Sequence, residues 1–306
     1  MLHAISALIL LVTQTAPQAC TWGSAREIGA VEQVIDEASG VAVSRRIPNR
    51  LYHNNDSGDT GRFFVTDLAG RETRIVNVKD FNPVDAEDIA LGPCGAGIDC
   101  IFIADIGDNG STRPQLELVV VEEQQNFPAE VQPRFRIRIR YPDAPHDAES
   151  LSVHPDGSIY IITKNRATAT APAGIAQIYR LKADQWRAPK NNVETLELVT
   201  TFDLGKLMPG SIDVGRLPTA MDIAPDGKRF LLLTYTDAIE FLFDLSGSIP
   251  PADRWKPGEQ YNRISLTILE QQEAIAYLPD GKSFLYETER PAPGSRARIM
   301  RVDCSN

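Results

Sequence analysis

The chain is poor in the residues that usually announce a chemistry. Its 306 residues include four histidines and four cysteines, with no Cys-x-x-Cys and no His-x-x-x-His spacing. Structural zinc sites need such pairs to converge on one tetrahedral ion, so zinc is disfavoured. No Gly-x-Ser-x-Gly elbow is present, which removes the usual hydrolase nucleophile, and no complete EF-hand loop occurs. Basic residues are also short, with 31 Lys and Arg against 41 Asp and Glu for a formal net charge of -10. Nucleic acid and anionic membranes are repelled by that balance. The apolar run over residues 4–12 spans about nine residues, too few to cross a bilayer. Followed by Ala16-Pro17-Gln18-Ala19, it has the form of a secretory signal peptide. We expect residues 1–19 to be removed and 20–306 to form one mature domain, secreted or periplasmic, monomeric and without a transmembrane segment.

What is present begins with the cysteines. Cys94 and Cys100 flank a short loop, and Cys20 and Cys304 lie near the two ends of the mature chain. Two disulfides are expected, 94–100 and 20–304. A bridge between the termini would stabilise the fold by roughly 2–5 kcal/mol. Lipidation of Cys20 is the rival reading.

The strongest signal is a repeat. The stretch Asp147-Ala148-Glu149-Ser150-Leu151-Ser152-Val153 leads into Pro155-Asp156-Gly157 and a second apolar strand. The same triplet returns at 225–227 and 279–281. Pro presets φ at the first turn position and Gly accepts the left-handed one, so the triplet joins antiparallel strands tightly. Related starts occur at Glu37, Asp85, Leu217 and Gln271, which aligns Ser39, Glu87, Glu149, Thr219 and Glu273. These are separated by 48, 62, 70 and 54 residues. Four short strands per period of that size predict an all-β fold, a single five-bladed β-propeller with four antiparallel strands per blade. The fifth unit is one strand short and residues 26–35 form a strand without a unit, so the N-terminal strand should complete the last blade. A sixth blade hidden in 202–217 is the alternative.

Asn54-Asn55-Asp56-Ser57-Gly58-Asp59, Asp85-Ala86-Glu87-Asp88, Asp105-Ile106-Gly107-Asp108-Asn109 and Asp147-Ala148-Glu149 carry a family resemblance. With them the chain resembles a family of uncharacterised secreted bacterial β-propellers, itself similar to SdiA-regulated and esterase-like phytase propellers. The resemblance implies a fold and an extracytoplasmic compartment. The calcium-dependent phytase propellers use acids at one channel mouth. Blade 4 departs from that pattern with Thr219 and Tyr235.

In a propeller the start of the first strand and the end of the second meet at one face. That face should gather Glu87, Glu149, Glu273 and Asp105 as metal ligands, with Asn55, Asp56, Asp108, Lys164, Glu289 and Arg290 as binding residues. Two carboxylates about 6 Å apart repel by roughly 3 kcal/mol at an effective dielectric near 20. A bound cation, a basic neighbour such as Lys164, Arg166 or Arg290, or a retained proton must offset this. Oxygen ligands without His or Cys suit Ca²⁺. Asp59 has the surroundings of a turn cap, and Asp222 is an unexplained acid where other blades carry small residues. His146 stands near the acidic face as a candidate base or a solvated loop residue, whereas His154 belongs to the opposite face. The strand at 134–140 puts four arginines on one side, either an anion patch or a guarded outer edge. Two functions follow. One is a binding propeller whose acidic mouth takes a cationic, sugar-like or protein ligand. The other is a Ca²⁺-dependent ester or lactone hydrolase using the same carboxylates.

Overall fold

In a computed structural model covering residues 20–169, 171–188, 192–289 and 296–305, the repeat becomes five blades. The expected signal peptide and Arg290 lie outside the described residues. At the Pro-Asp-Gly turns, Gly157, Gly227 and Gly281 adopt φ of 88°, 74° and 61°. That is the left-handed conformation for which glycine is the inexpensive residue. Each turn joins the first two antiparallel strands of its blade.

Blade 1 consists of Ala38–Val43, Leu51–Asn55, Arg62–Thr66 and Arg74–Val78. Blade 2 runs through Ala86–Gly95, Ile98–Asp105, Leu116–Glu122 and Phe135–Arg140. Blade 3 holds Ala148–Val153, Ile159–Thr163, Ile175–Leu181 and Glu197–Asp203. Blade 4 holds Pro218–Ile223, Phe230–Thr234, Asp237–Phe241 and Tyr261–Ser265. Blade 5 has Gln272–Tyr277, Ser283–Thr288 and Arg298–Asp303, and its fourth strand is Arg26–Ala30 from the chain start. The ring is therefore closed by the N-terminal strand, as the repeat arithmetic predicted. The Cys20–Cys304 disulfide, with Cα atoms 5.5 Å apart, fixes the same junction, and Cys94–Cys100 closes its short loop. The 202–217 interval contains only short turns of helix, Leu204–Leu207 and Val214–Arg216, and no blade.

The core explains why the ring holds. Buried apolar residues fall into five clusters, each shared by two neighbouring blades. Phe63, Ile89 and Ile103 join blades 1 and 2, and Phe102 and Leu151 join 2 and 3. Tyr160 and Phe230 join blades 3 and 4, Leu233 and Tyr286 join 4 and 5, and Phe64 and Leu285 join 5 and 1. Strands buried on both faces read as nearly continuous apolar runs, and so they do here.

Two blades are wider than expected. Glu130–Val131 adds a parallel fifth strand to blade 1, and Val193–Thr195 adds one to blade 2. Each comes from a linker of the following blade and covers an outer edge that would otherwise be open. The arginine-rich strand Phe135–Arg140 is thus not outermost. Arg134 pairs with Glu122 at 2.7 Å and Arg136 with Glu117 at 3.2 Å, which makes this a cross-strand charge ladder.

Candidate cation and ligand site at the channel mouth

One local irregularity builds the mouth. In every blade the pairing of the first two strands shifts by one residue, and the extra residue is Ser39, Glu87, Glu149, Thr219 or Glu273. These are the five aligned positions of the repeat. A β-bulge re-aims the side chain it displaces, so the fold presents one side chain per blade at the same end of the channel. Where that residue has a hydroxyl, it laces blades together. Ser39 Oγ donates to the Glu87 carbonyl at 2.6 Å, and Thr219 Oγ1 donates to the Gln272 carbonyl at 3.0 Å. The other three positions are glutamates. Beside them stands a second set, the residue just past the second strand of each blade: Asp56, Ile106, Lys164, Tyr235 and Glu289.

On the side of blades 3 to 5 the protein neutralises its own acids. Lys164, only 2% exposed, donates from Nζ to Glu149 Oε1 and to the Tyr235 hydroxyl at 3.0 Å. Tyr235 in turn donates to Glu273 Oε1 at 2.8 Å. Burial lifts the Glu149 carboxyl to about 8 against the opposing pull of Lys164, with Glu273 adding to the rise. Burial raises Glu273 as well, again opposed by Lys164.

On the side of blades 1 and 2 the arrangement differs. One carboxylate oxygen each from Asp56, Asp85 and Glu87 lies within 4.8 Å of the others. Hard cations bind oxygens at about 2.3–2.6 Å, so two ligands of one ion stand no more than about 5 Å apart. The spacing fits. Glu87 is 3% exposed, and a Ser39 Oγ contact at 3.4 Å is its side chain's single hydrogen bond from the described residues. Gly107 allows this crowding, because a Cβ there would collide with Glu87 Oε1 and the Asp85 carboxyl group. Asp147, outside that group of three, is a further buried acid nearby. It is 5% exposed, its Oδ1 accepts the Asp108 N–H at 2.9 Å, and its Oδ2 has no hydrogen-bond partner. Its charge is felt by both Asp56 and Asp85. Burial, reinforced by Asp56 and Asp147, lifts Asp85 to about 6, and burial with Glu149 raises Glu87 well above the carboxylate range. No lysine or arginine of the described residues touches the three carboxylates, and the more distant charges of Lys164 and Arg113 only partly oppose the rise that burial and mutual repulsion cause.

Asp105 Oδ2 takes Arg113 at 2.8 Å, and Oδ1 accepts the Val84 and Asp85 N–H groups at 3.2 and 2.8 Å. It holds the loop that carries Asp85. Asp108 accepts the Arg113 N–H at 2.7 Å, and Asn55 donates to Asp36 at 2.9 Å. Glu289, lifted by burial and then by Glu273 to about 7, accepts from Gln271. Arg166 donates to Asn109 at 3.2 Å, and Asp59 pairs with Arg62 at 2.7 Å. His146 pairs with Asp143 at 3.0 Å beside Tyr179, and His154 sits at the opposite face against Gly227. The structure thus brings Glu87 together with Asp56 and Asp85, while Glu149 and Glu273 share the network of Lys164 and Tyr235.

Asp222 now has an explanation. Its Oδ1 accepts Ser152 Oγ at 3.0 Å and its Oδ2 accepts the Tyr277 N–H at 2.8 Å, tying blade 4 to both neighbours inside the channel. Asp88 does the same between blades 2 and 3, accepting the Leu151 N–H at 2.7 Å. Asp88 and Gly107 were not singled out by the sequence. Comparing each blade's residue just past the second strand would have exposed the contrast between Asp56 and Lys164.

No protein-family model matches the chain, and no curated protein matches it. Among solved structures it is similar to the soluble aldose sugar dehydrogenase of Escherichia coli in its apo-form, at 11% identity and a TM-score of 0.49, covering 92% of this chain and 99% of that one. It is similar to a putative oxidoreductase (glucose dehydrogenase) of Thermus thermophilus at 12% identity, TM-score 0.48, over 91% and 99% of the two chains. A carbohydrate-active enzyme of family AA12 from Trichoderma reesei matches at 10% identity, TM-score 0.49, over 98% and 100%.

Proposed function

We propose that the protein is an extracytoplasmic binding propeller whose acidic mouth takes a Ca²⁺-type cation in the blade 1–2 half and holds its ligand there. The observation that supports this is the Asp56, Asp85 and Glu87 oxygens within 4.8 Å, backed by the partnerless Oδ2 of buried Asp147. Two disulfides and no free cysteine among the described residues fit an oxidising compartment. Thermal unfolding of the chelated protein with and without Ca²⁺ tests the reading. At a hundred times its dissociation constant the ion adds about 2.7 kcal/mol, a shift of a few degrees in a domain this size. Asp85→Asn should abolish the shift. No shift at millimolar Ca²⁺ would sink the proposal.

A second reading, Ca²⁺-dependent ester or lactone hydrolysis, is favoured by Glu149, whose carboxyl at about 8 keeps a proton near neutrality beside Lys164. A cation in the neighbouring seat would supply Lewis-acid polarisation of the substrate oxygen, and Glu149 would hold the proton for the leaving group. Turnover across an ester and lactone panel, lost in Glu149→Gln, is the expected result. No turnover with any substrate would leave the binding reading alone.

A further inference from the structure

The distribution of exposed apolar side chains is as polarised as the charge. Six large ones stand out among the described residues, and four lie in the loops that enter the innermost strands at the acidic face. Val84 is 64% exposed beside Asp85, Ile212 and Val214 are 66% and 50% exposed before blade 4, and Ile268 is 64% exposed before blade 5. The turn carrying Val214 packs on the mouth itself, since a Cβ on Gly215 would lie 2.7 Å from Thr236 Oγ1, next to Tyr235. The other two, Ile75 and Leu198, lie on outer strands of blades 1 and 3. Among the described residues the opposite face lacks this pattern. Its turns mix the signs, with Arg45, Arg46 and Lys228 among Asp156, Asp226 and Asp280. Single exposed aliphatics are ordinary on a protein surface. Four on one face, around a group of acids outnumbering their bases, are the makings of an interface core inside a charged field.

We propose that this face docks a polypeptide presenting a lysine or arginine flanked by aliphatic residues. The proposal rests on the reading of the mouth as a cation-seeking site and names its partner. The partner's basic side chain enters the acidic mouth, where Asp56, Glu87 and Glu289 face it. Its aliphatic flanks cover Ile212, Val214 and Ile268 on the rim. The charge complementarity selects a basic protein segment over the alternatives, because an anionic lipid surface or a nucleic acid meets the same acids with the wrong sign. Weak binding at high salt is the expected signature, since the attraction is partly exposed.

The experiment is selection of a random-peptide library, displayed on phage, against the oxidised mature protein with Ca²⁺ chelated. Enriched sequences should carry Lys or Arg beside Leu, Ile or Val. A synthetic copy of the best one, followed by calorimetry, should bind about tenfold more weakly to Ile212→Ser/Ile268→Ser and after its own basic residue is changed to Gln. Both rim positions are solvent-exposed, so the variant keeps its fold, and an unchanged unfolding temperature verifies this. The variant should also retain the Ca²⁺ shift of the parent, so the two readings fail separately. A retained Ca²⁺ shift with no basic-apolar enrichment overturns the docking surface alone. Acidic or neutral sequences, or an affinity unmoved by the rim variant, overturn it as well.

Discussion

The two halves of the channel mouth face one electrostatic problem and meet it differently. Between blades 3 and 5, the chain supplies its own cation, and Lys164 sits between Glu149 and Tyr235, which continues to Glu273. Between blades 1 and 2, the equivalent of Lys164 is Asp56, and it adds a carboxylate to Asp85 and Glu87. The backbone is the same in both halves, with the same bulge and the same strand ends. One substitution in the repeat, an ammonium for a carboxylate, separates a self-contained network from a carboxylate cluster that could hold a metal ion. Such a contrast within one molecule is informative, because the fold is shared while the charge differs, and Asp56 is only half-buried where Lys164 is buried.

The largest effect should come from breaking the filled half. Lys164→Met strips the hydrogen bonds that the buried ammonium gives to Glu149 and Tyr235, each worth about 1.5–3 kcal/mol where a charged group takes part. The unfolding temperature should fall by several degrees or more. Adding Glu149→Gln should recover part of the loss, because the buried carboxyl left without its donor is replaced by an amide that brings donors of its own. If the single variant unfolds like the parent, Lys164 is not the counter-charge that distinguishes the halves.

Next in size is the pH response of the open half. Asp85 binds its proton with a pKa of about 6 when folded, against about 3.9 for an ordinary Asp. Between those values the folded state holds more protons than the unfolded one, so stability falls as pH rises through the window. Glu289, at about 7, extends the decline toward neutrality. Both groups are partly exposed, which screens the effect and keeps it modest. A Ca²⁺ ion bound at Asp56, Asp85 and Glu87 would replace the Asp85 proton, so its stabilisation should grow with pH and flatten that part of the decline. Unfolding temperatures from about pH 4 to pH 8, with and without Ca²⁺, decide the matter. Parallel curves would mean that the ion does not sit on Asp85.

Much of this architecture is legible in the sequence. The Pro-Asp-Gly triplets demand tight turns, and their spacing with the missing last strand demands a closed ring. The aligned residues Ser39, Glu87, Glu149, Thr219 and Glu273 point to one face because they occupy one position in a repeat. The partnership of those residues is hidden there. Whether Glu87 meets Lys164 or Asp56 depends on the bulge and on which neighbouring blade supplies the adjacent strand end, and no local pattern encodes either. Asp105 shows the same limit. Its position after a strand suggests a ligand, yet Arg113, eight residues further on, folds back onto it. The outer edges escape the sequence for a related reason. Glu130–Val131 and Val193–Thr195 are two- and three-residue pieces with no period to detect, and they become strands because an edge was waiting for them.

A smaller test addresses the coupling inside the filled half. Tyr235→Phe removes the hydroxyl that accepts from Lys164 and donates to Glu273, costing on the order of 1–3 kcal/mol where a charged group loses a partner. Glu273 would then lack its donor, and the Ca²⁺ shift of the open half should stay as it was. If that shift changes along with stability, the two halves act as one network.

The smallest effect belongs to the hydroxyl bulges, which carry no charge in either half. Ser39→Ala loses the 2.6 Å bond to the Glu87 carbonyl and Thr219→Ala the 3.0 Å bond to the Gln272 carbonyl, each at about 1 kcal/mol. Ser39 also lies at 3.4 Å from Glu87 Oε2 and helps fix the orientation of that carboxylate, whereas Thr219 touches no acid of the open seat. The two variants should therefore match in stability and differ in Ca²⁺ affinity, with Ser39→Ala the weaker binder. Equal affinities would show that Glu87 is oriented by the bulge and Gly107 alone, and would move the origin of the seat from side chains to backbone.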